Sequence, residues 1–130
     1  MRTPIENLDH LISSHLWWFA KVRSEGFGII LPNGWLGQPF DNQHSVNKIE
    51  VKGSELHIVF DDIRELRIVD PKSYDVQALD GSMSSFKFFE CSEISLLWVP
   101  YGEEKTAPKV TQKFDSPNEN TIELVGYFSI

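Results

Sequence analysis

The chain has a single cysteine, Cys91, so no disulfide can form within it. That usage fits a reducing compartment, and the cytoplasm is the expected location. Long apolar runs are missing too. The richest early stretch, "LWWFA" (Leu16 to Ala20), is far shorter than the roughly 20 residues a membrane-spanning helix needs. The opening "MRTPIENLDH" lacks the apolar core of a secretory signal. Basic residues are few, 12 Lys and Arg against 19 Asp and Glu, for a net charge of −7. Nucleic-acid affinity comes mainly from neutralised phosphates, so no nucleic-acid partner is expected. An anionic membrane surface is disfavoured for the same reason. The acidic surplus favours a basic surface on any protein partner, and it also keeps the chain soluble. Catalytic and cofactor signatures are absent as well. There is no G-x-S-x-G elbow, no phosphate-binding G-x-x-x-x-G-K-S/T loop and no G-x-G-x-x-G fingerprint. Neither H-E-x-x-H nor an EF-hand loop occurs. No cofactor and no metal are expected.

What is present belongs to one folded unit, residues 1–130. A chain of 130 residues has the size of a single domain and can bury roughly two thirds of its unfolded surface. Aromatics make up 12%, too many for a disordered chain.

The N-terminus carries a helix signal. In "TPIE" (Thr3 to Glu6), Thr3 can cap, Pro4 suits the first helical position, and Glu6 completes a capping box. Ile5, Leu8, Leu11, Ile12, Leu16, Phe19 and Val22 then fall within an arc of about 160° at about 100° per residue. Gly26 supplies the stop. The pattern predicts a helix over about 4–24. His15 projects from its apolar face and reads as a core histidine with one satisfied hydrogen bond. Trp17 points the opposite way and is a candidate partner contact. Trp18 lies at the edge of the apolar arc and reads as core. His10 and His15 diverge by about 140° on a helix and cannot share a metal ion.

The rest reads as β. "FGIIL" (Phe27 to Leu31) is a short buried strand. "VNKIEVKGSELHIVF" (Val46 to Phe60) is a hairpin about Gly53-Ser54, a type II′ turn. That turn pairs Val51 with Leu56, Ile49 with Ile58, Lys52 with Glu55, Glu50 with His57 and Lys48 with Val59. The apolar pattern specifies the same register. A second hairpin would pair Phe60 with Leu66 and Ile58 with Ile68. "SYDVQAL" reads as a strand or a helical turn. "FKFFEC", "ISLLWVPYG", "KVTQKF" and "TIELVGYFSI" supply four more strands, the second of them placed centrally by its two apolar faces. The fold class is α+β: one N-terminal helix on a curved, mainly antiparallel sheet, or a partly open barrel, of about seven strands.

Function is read most readily from "NGWLGQPFDNQH" (Asn33 to His44). Gly34 and Gly37 permit unusual backbone, and Asp41 and Asn42 favour an Asx turn. Trp35 and Phe40 anchor such a loop. Irregular loops on rigid sheets often carry sites. The candidate binding residues are therefore Trp35, Pro39, Asp41, Asn42 and His44, with Trp17 as a separate contact. Asp41 could orient His44 as a base, but no nucleophile accompanies them. Cys91, among phenylalanines, reads as a buried inert thiol. The leading expectation is a non-enzymatic interaction or small-ligand-binding domain, including an acidic inhibitor or immunity-type protein. The alternative is a small hydrolase or isomerase using Asp41 and His44 beside Trp35.

The succession "GWLGQPFDNQH", "LHIVFDDIRELRIVDP" and "SLLWVPYG", spanning Gly34 to Gly102, resembles an uncharacterised family of small bacterial single-domain proteins. The resemblance implies that the Trp35–His44 loop is a family feature. It implies no catalytic residue, cofactor or partner.

Overall fold

A computed structural model describes residues 2–36, 46–60, 64–78, 83–99, 102, 104, 109–114 and 120–127. Its helices are α1 (Leu8–Ser14) and α2 (Leu16–Glu25). Its strands are β1 (Thr3–Pro4), β2 (Gly28–Leu31), β3 (Gly34–Trp35), β4 (Lys48–Lys52), β5 (Glu55–Val59) and β6 (Arg64–Val69), followed by β7 (Ser73–Ala78), β8 (Met83–Phe89), β9 (Glu93–Trp98), β10 (Val110–Phe114) and β11 (Ile122–Tyr127). The α+β class holds, but the strands form two antiparallel sheets rather than one. The first has six strands in the order β1-β7-β8-β11-β2-β3; the second has five in the order β10-β9-β6-β5-β4.

Two residues explain the division. Asp70 (φ 49°) and Glu90 (φ 51°) are the non-glycine residues with positive φ among those described. Each stands where the chain crosses between sheets, from β6 to β7 and from β8 to β9. A left-handed residue turns the chain sharply at a cost of about 1–2 kcal/mol, so the corners must be held. The Asp70 N–H donates to the Ser54 carbonyl at 2.7 Å, and the Ser92 N–H to Val69 at 2.9 Å. The Lys72 ammonium donates to the Asp70 carboxylate, and the Ser92 hydroxyl reaches it at 3.2 Å. Lys72 above all, then Ser92, holds the Asp70 carboxyl below its ordinary range.

The first hairpin has the predicted register, from Lys48 opposite Val59 to Lys52 opposite Glu55. Gly53 has φ 65° while Ser54 is not among the positive-φ residues, as a type II′ turn requires. The second hairpin differs from its expected register by two residues. Ile58 pairs with Leu66 and Leu56 with Ile68, and the Phe60 N–H donates to the Arg64 carbonyl at 3.0 Å. The strands thus run closer to the turn than the apolar pattern alone required. A two-residue slip keeps every side chain on its face, so that pattern could not detect it. "SYDVQA" is strand β7, and β9 lies between β10 and β6 as expected. The Asp80-Gly81 dipeptide favours a tight turn between β7 and β8, but it lies outside the described residues.

The predicted helix is the largest correction. Thr3 and Pro4 pair with Tyr74 and Ser73 at the edge of the first sheet, where a residue without an N–H is tolerated. The helix begins four residues later, with the Asn7 side chain accepting from the His10 N–H at 3.0 Å. It breaks at His15, and Gly26 ends it with an N–H to Val22. The Ser14 hydroxyl donates to the His10 carbonyl at 2.8 Å, a back-bond that bends helices.

The break does not rotate the helix. Leu8, Leu11, Trp18, Phe19 and Val22 are all buried and occupy one arc of about 100°. Trp18 is fully buried, whereas Leu16, expected in the core, is 63% exposed. The two lie about 160° apart on the wheel, so one face cannot bury both. The larger ring takes the core and its N–H donates to the buried Ser84 hydroxyl at 3.1 Å. These helical residues share one continuous core with Ile29, Phe86, Phe88, Ile122 and Leu124 of the first sheet and Leu56, Ile58, Leu66, Ile68 and Ile94 of the second. Phe27 and Phe60 stack at 5.9 Å. Each such side chain contributes about 1.5–3 kcal/mol when fully buried. Among the described residues, no helix is long and apolar enough to cross a membrane.

Candidate functional site

Of the residues singled out in the loop, the structure places one. Trp35 is half-buried on β3, opposite Ile30, and the neighbouring Leu36 N–H donates to Ile29 at 2.9 Å. Pro39, Asp41, Asn42 and His44 lie outside the described residues. Trp17 is 41% exposed, as expected. Cys91 is buried.

One concavity among the described residues was not foreseen. Because β1 pairs with β7 instead of starting a helix, residues 3–7 stand apart from α1 as a separate wall. The Ile5 N–H donates to Lys72 at 2.9 Å and continues the pairing. Between this wall and α1 lies a cleft of about 280 Å³. Thr3, Pro4, Ile5, Glu6 and Asn7 form one side, and His10, Leu11 and Ser14 of α1 the other. Tyr74 of β7 closes it. The Tyr74 ring is fixed from behind: it stacks on Phe86 at 5.8 Å and meets the edge of His15 at 5.4 Å.

The lining combines groups that can donate, on Thr3, Asn7, His10 and Tyr74, with acceptors on Glu6 and Ser14. Glu6 is its one carboxylate. The Ser14 proton is already committed to the His10 carbonyl, so this hydroxyl presents lone pairs to the cleft. Asn7 uses its side-chain oxygen to cap α1. A donor on the guest would pair with Glu6. A second cleft, about 250 Å³, lies on the other side of the same wall and adds Asp70, Gly53 and Ser54. A third, about 220 Å³ and lined by Lys87 and Glu123, has its charge already answered. Glu123 accepts from Ser85 at 2.6 Å and meets Lys87 at 3.8 Å.

His15 sits behind the cleft. Its ring meets Phe86 edge-on at 5.5 Å, and its Nδ1 has no hydrogen-bond partner among the described residues. The expected satisfied bond is therefore not seen at that atom. Burial lowers its pKa from the ordinary value, because desolvation disfavours the imidazolium.

The outer face of the second sheet is the other polar cluster. The row Glu50, His57, Arg67, Ser95 and Lys113 crosses all five strands. His57 stands opposite Glu50 as the turn requires, yet it is only 8% exposed. Its Nδ1 lies 2.9 Å from Glu65 and its Nε2 3.2 Å from Glu55. Glu50 is held by Lys48 at 2.7 Å and Lys52 at 3.4 Å. Glu93 is held by Arg67 at 2.7 Å and Lys113 at 3.0 Å, and its carboxyl lies below the usual range chiefly through the Lys113 hydrogen bond. The long side chains cover the strand between them. The two ring nitrogens of His57 diverge, so the flanking carboxylates cannot close on one ion with it. No metal-binding group of three or more His, Cys, Asp or Glu occurs among the described residues.

Comparison of the chain with protein-family models, curated proteins and solved structures finds no match.

Proposed function

We propose that this chain is a non-enzymatic binding domain, and that its ligand is a small cation held in the cleft between residues 3–7, α1 and Tyr74. One observation carries the reading: a concavity of about 280 Å³ lined by Glu6 and Ser14 together with Pro4, Ile5 and Leu11. Small-molecule sites combine an apolar lining with a few placed polar groups, and run from about 300 Å³ upward. This cleft suits a ligand at the small end of that range. An ammonium group would pair with Glu6 while its hydrocarbon part lay on Ile5 and Leu11. The net charge of −7 raises the local concentration of cations. Ser14 does not serve as a nucleophile here, since its proton is directed to a backbone carbonyl and away from any base. The outer face of the second sheet interleaves acid and base, so it offers no field of one sign to a basic protein target.

The test is calorimetric titration with a panel of small amines, among them putrescine, histamine, tyramine and choline. At least one should bind, and Glu6→Gln should weaken it tenfold or more without lowering the melting temperature, because Glu6 is exposed. Unchanged affinity in Glu6→Gln, or no binding by any amine at millimolar concentration, would refute the assignment.

A further inference from the structure

The face of α1 and α2 turned away from both the core and the cleft carries a pattern of its own. Asp9, Ser13, Leu16, Ala20 and Arg23 are all exposed. Their spacing of four, three, four and three residues makes one continuous stripe along the helix, about 80° wide and centred about 130° around the wheel from the middle of the buried arc. Leu16 at its centre is 63% exposed and the adjoining Trp17 41%. The stripe reads acidic, small, apolar, small, basic, so it is its own complement when reversed.

We infer that this stripe binds a second copy of the chain, in an antiparallel pair whose two-fold axis passes near Leu16. Residues whose numbers sum to about 32 then face each other. Asp9 meets Arg23 of the second copy, and the contact recurs by symmetry. Ser13 meets Ala20, two small residues that let the helices approach. Leu16 meets its own counterpart while Trp17 covers the seam from one side. Such a contact is isologous and closes at two chains. The helical segment, Leu8 to Glu25, is about 27 Å long, so the pair buries less than a standard interface and is reversible. Asp9 and Arg23 also complement the helix dipole, and the test must separate that role from pairing.

Sedimentation equilibrium over roughly 10 µM to 1 mM, the range of weak association, should show the mass rising from 14.9 kDa toward twice that value. Asp9→Lys and Arg23→Glu should each weaken association about three- to tenfold, because each replaces two attractions by two repulsions. The double variant should regain it. A role limited to the dipole would instead give additive loss of thermal stability with no regained association. Leu16→Cys should cross-link to its own copy under mild oxidation. Ser24→Cys should not, because an antiparallel pair separates those positions by about 24 Å. Cys91 is buried and does not interfere. A parent chain that stays monomeric throughout, or equal cross-linking at both positions, overturns the inference. The cleft lies on another side of α1, so amine binding survives in Leu16→Cys whichever way this test falls.

Discussion

Replacing Trp18 with alanine and, separately, Leu16 with alanine distinguishes two phasings of the N-terminal helix. Trp18 is fully buried against Phe19 and Phe86, with ring centroids 5.4 Å away in each case. Truncating a buried tryptophan costs about 3–5 kcal/mol. The Ser84 hydroxyl, itself fully buried, loses its indole donor, which adds about 1 kcal/mol or more. For a domain of this size each kcal/mol lowers the melting temperature by about 3–5 °C, so Trp18→Ala should lower it by about 12–30 °C. Leu16→Ala removes a side chain that is 63% exposed and should change stability by less than about 0.5 kcal/mol. Thermal melts followed by circular dichroism at low micromolar concentration read the fold without any contribution from pairing. If Trp18→Ala does not fold, a cycle of Trp18→Phe and Ser84→Ala should still show coupling of about 1 kcal/mol. A larger loss from Leu16→Ala than from Trp18→Ala would refute the phasing, and with it the placement of the stripe and the cleft.

Three further outcomes follow from the geometry. Burial depresses the His15 pKa, so the unfolded chain binds the proton more readily. His15 therefore contributes stability above about pH 6.5 that is lost as pH falls below it; in His15→Phe, denaturant midpoints at pH 7 and pH 5.5 should lie closer together than in the parent. A Cβ at Gly53 would meet open space, but φ is +65°, so Gly53→Ala carries a backbone cost of about 1 kcal/mol or more while Gly53→Asn costs less; equal melting temperatures for the two would contradict this turn. His57→Ala removes the imidazole that bridges Glu55 and Glu65 on a crowded face and should cost about 1–3 kcal/mol; a neutral effect in urea melts would show that the bridge is not formed in solution.

Parts of this architecture were legible in the sequence because one local signal decided them. Gly53-Ser54 fixed a turn, the turn fixed a register, and the apolar alternation agreed with both. The separation into two sheets was hidden, since its corners rest on Asp70 and Glu90, whose side chains give no hint of positive φ. The cleft was hidden for a related reason. "TPIE" carries a strong capping-box pattern, yet the edge of the first sheet offered Thr3 and Pro4 partners on β7 and Ile5 the Lys72 carbonyl, and tertiary pairing outweighed the local preference. The wheel found the buried face of the helix only approximately. It admitted Leu16 and Trp18 alike, without the Ser84 hydroxyl that accepts the indole N–H and favours the ring. Of the residues proposed from the loop, Trp35 stands on an edge strand, while the contribution of Asp41 and His44 lies beyond the described residues.

The proposed site is the space that opens where Thr3 and Pro4 pair with β7 instead of starting the helix. Nuclear Overhauser contacts between a bound amine and the protein test it directly. The cleft predicts contacts from the amine's methylene protons to the Tyr74 ring and to the Leu11 and Ile5 methyl groups. Contacts confined to Trp35 and residues 37–45 would contradict it and move the binding function to the loop.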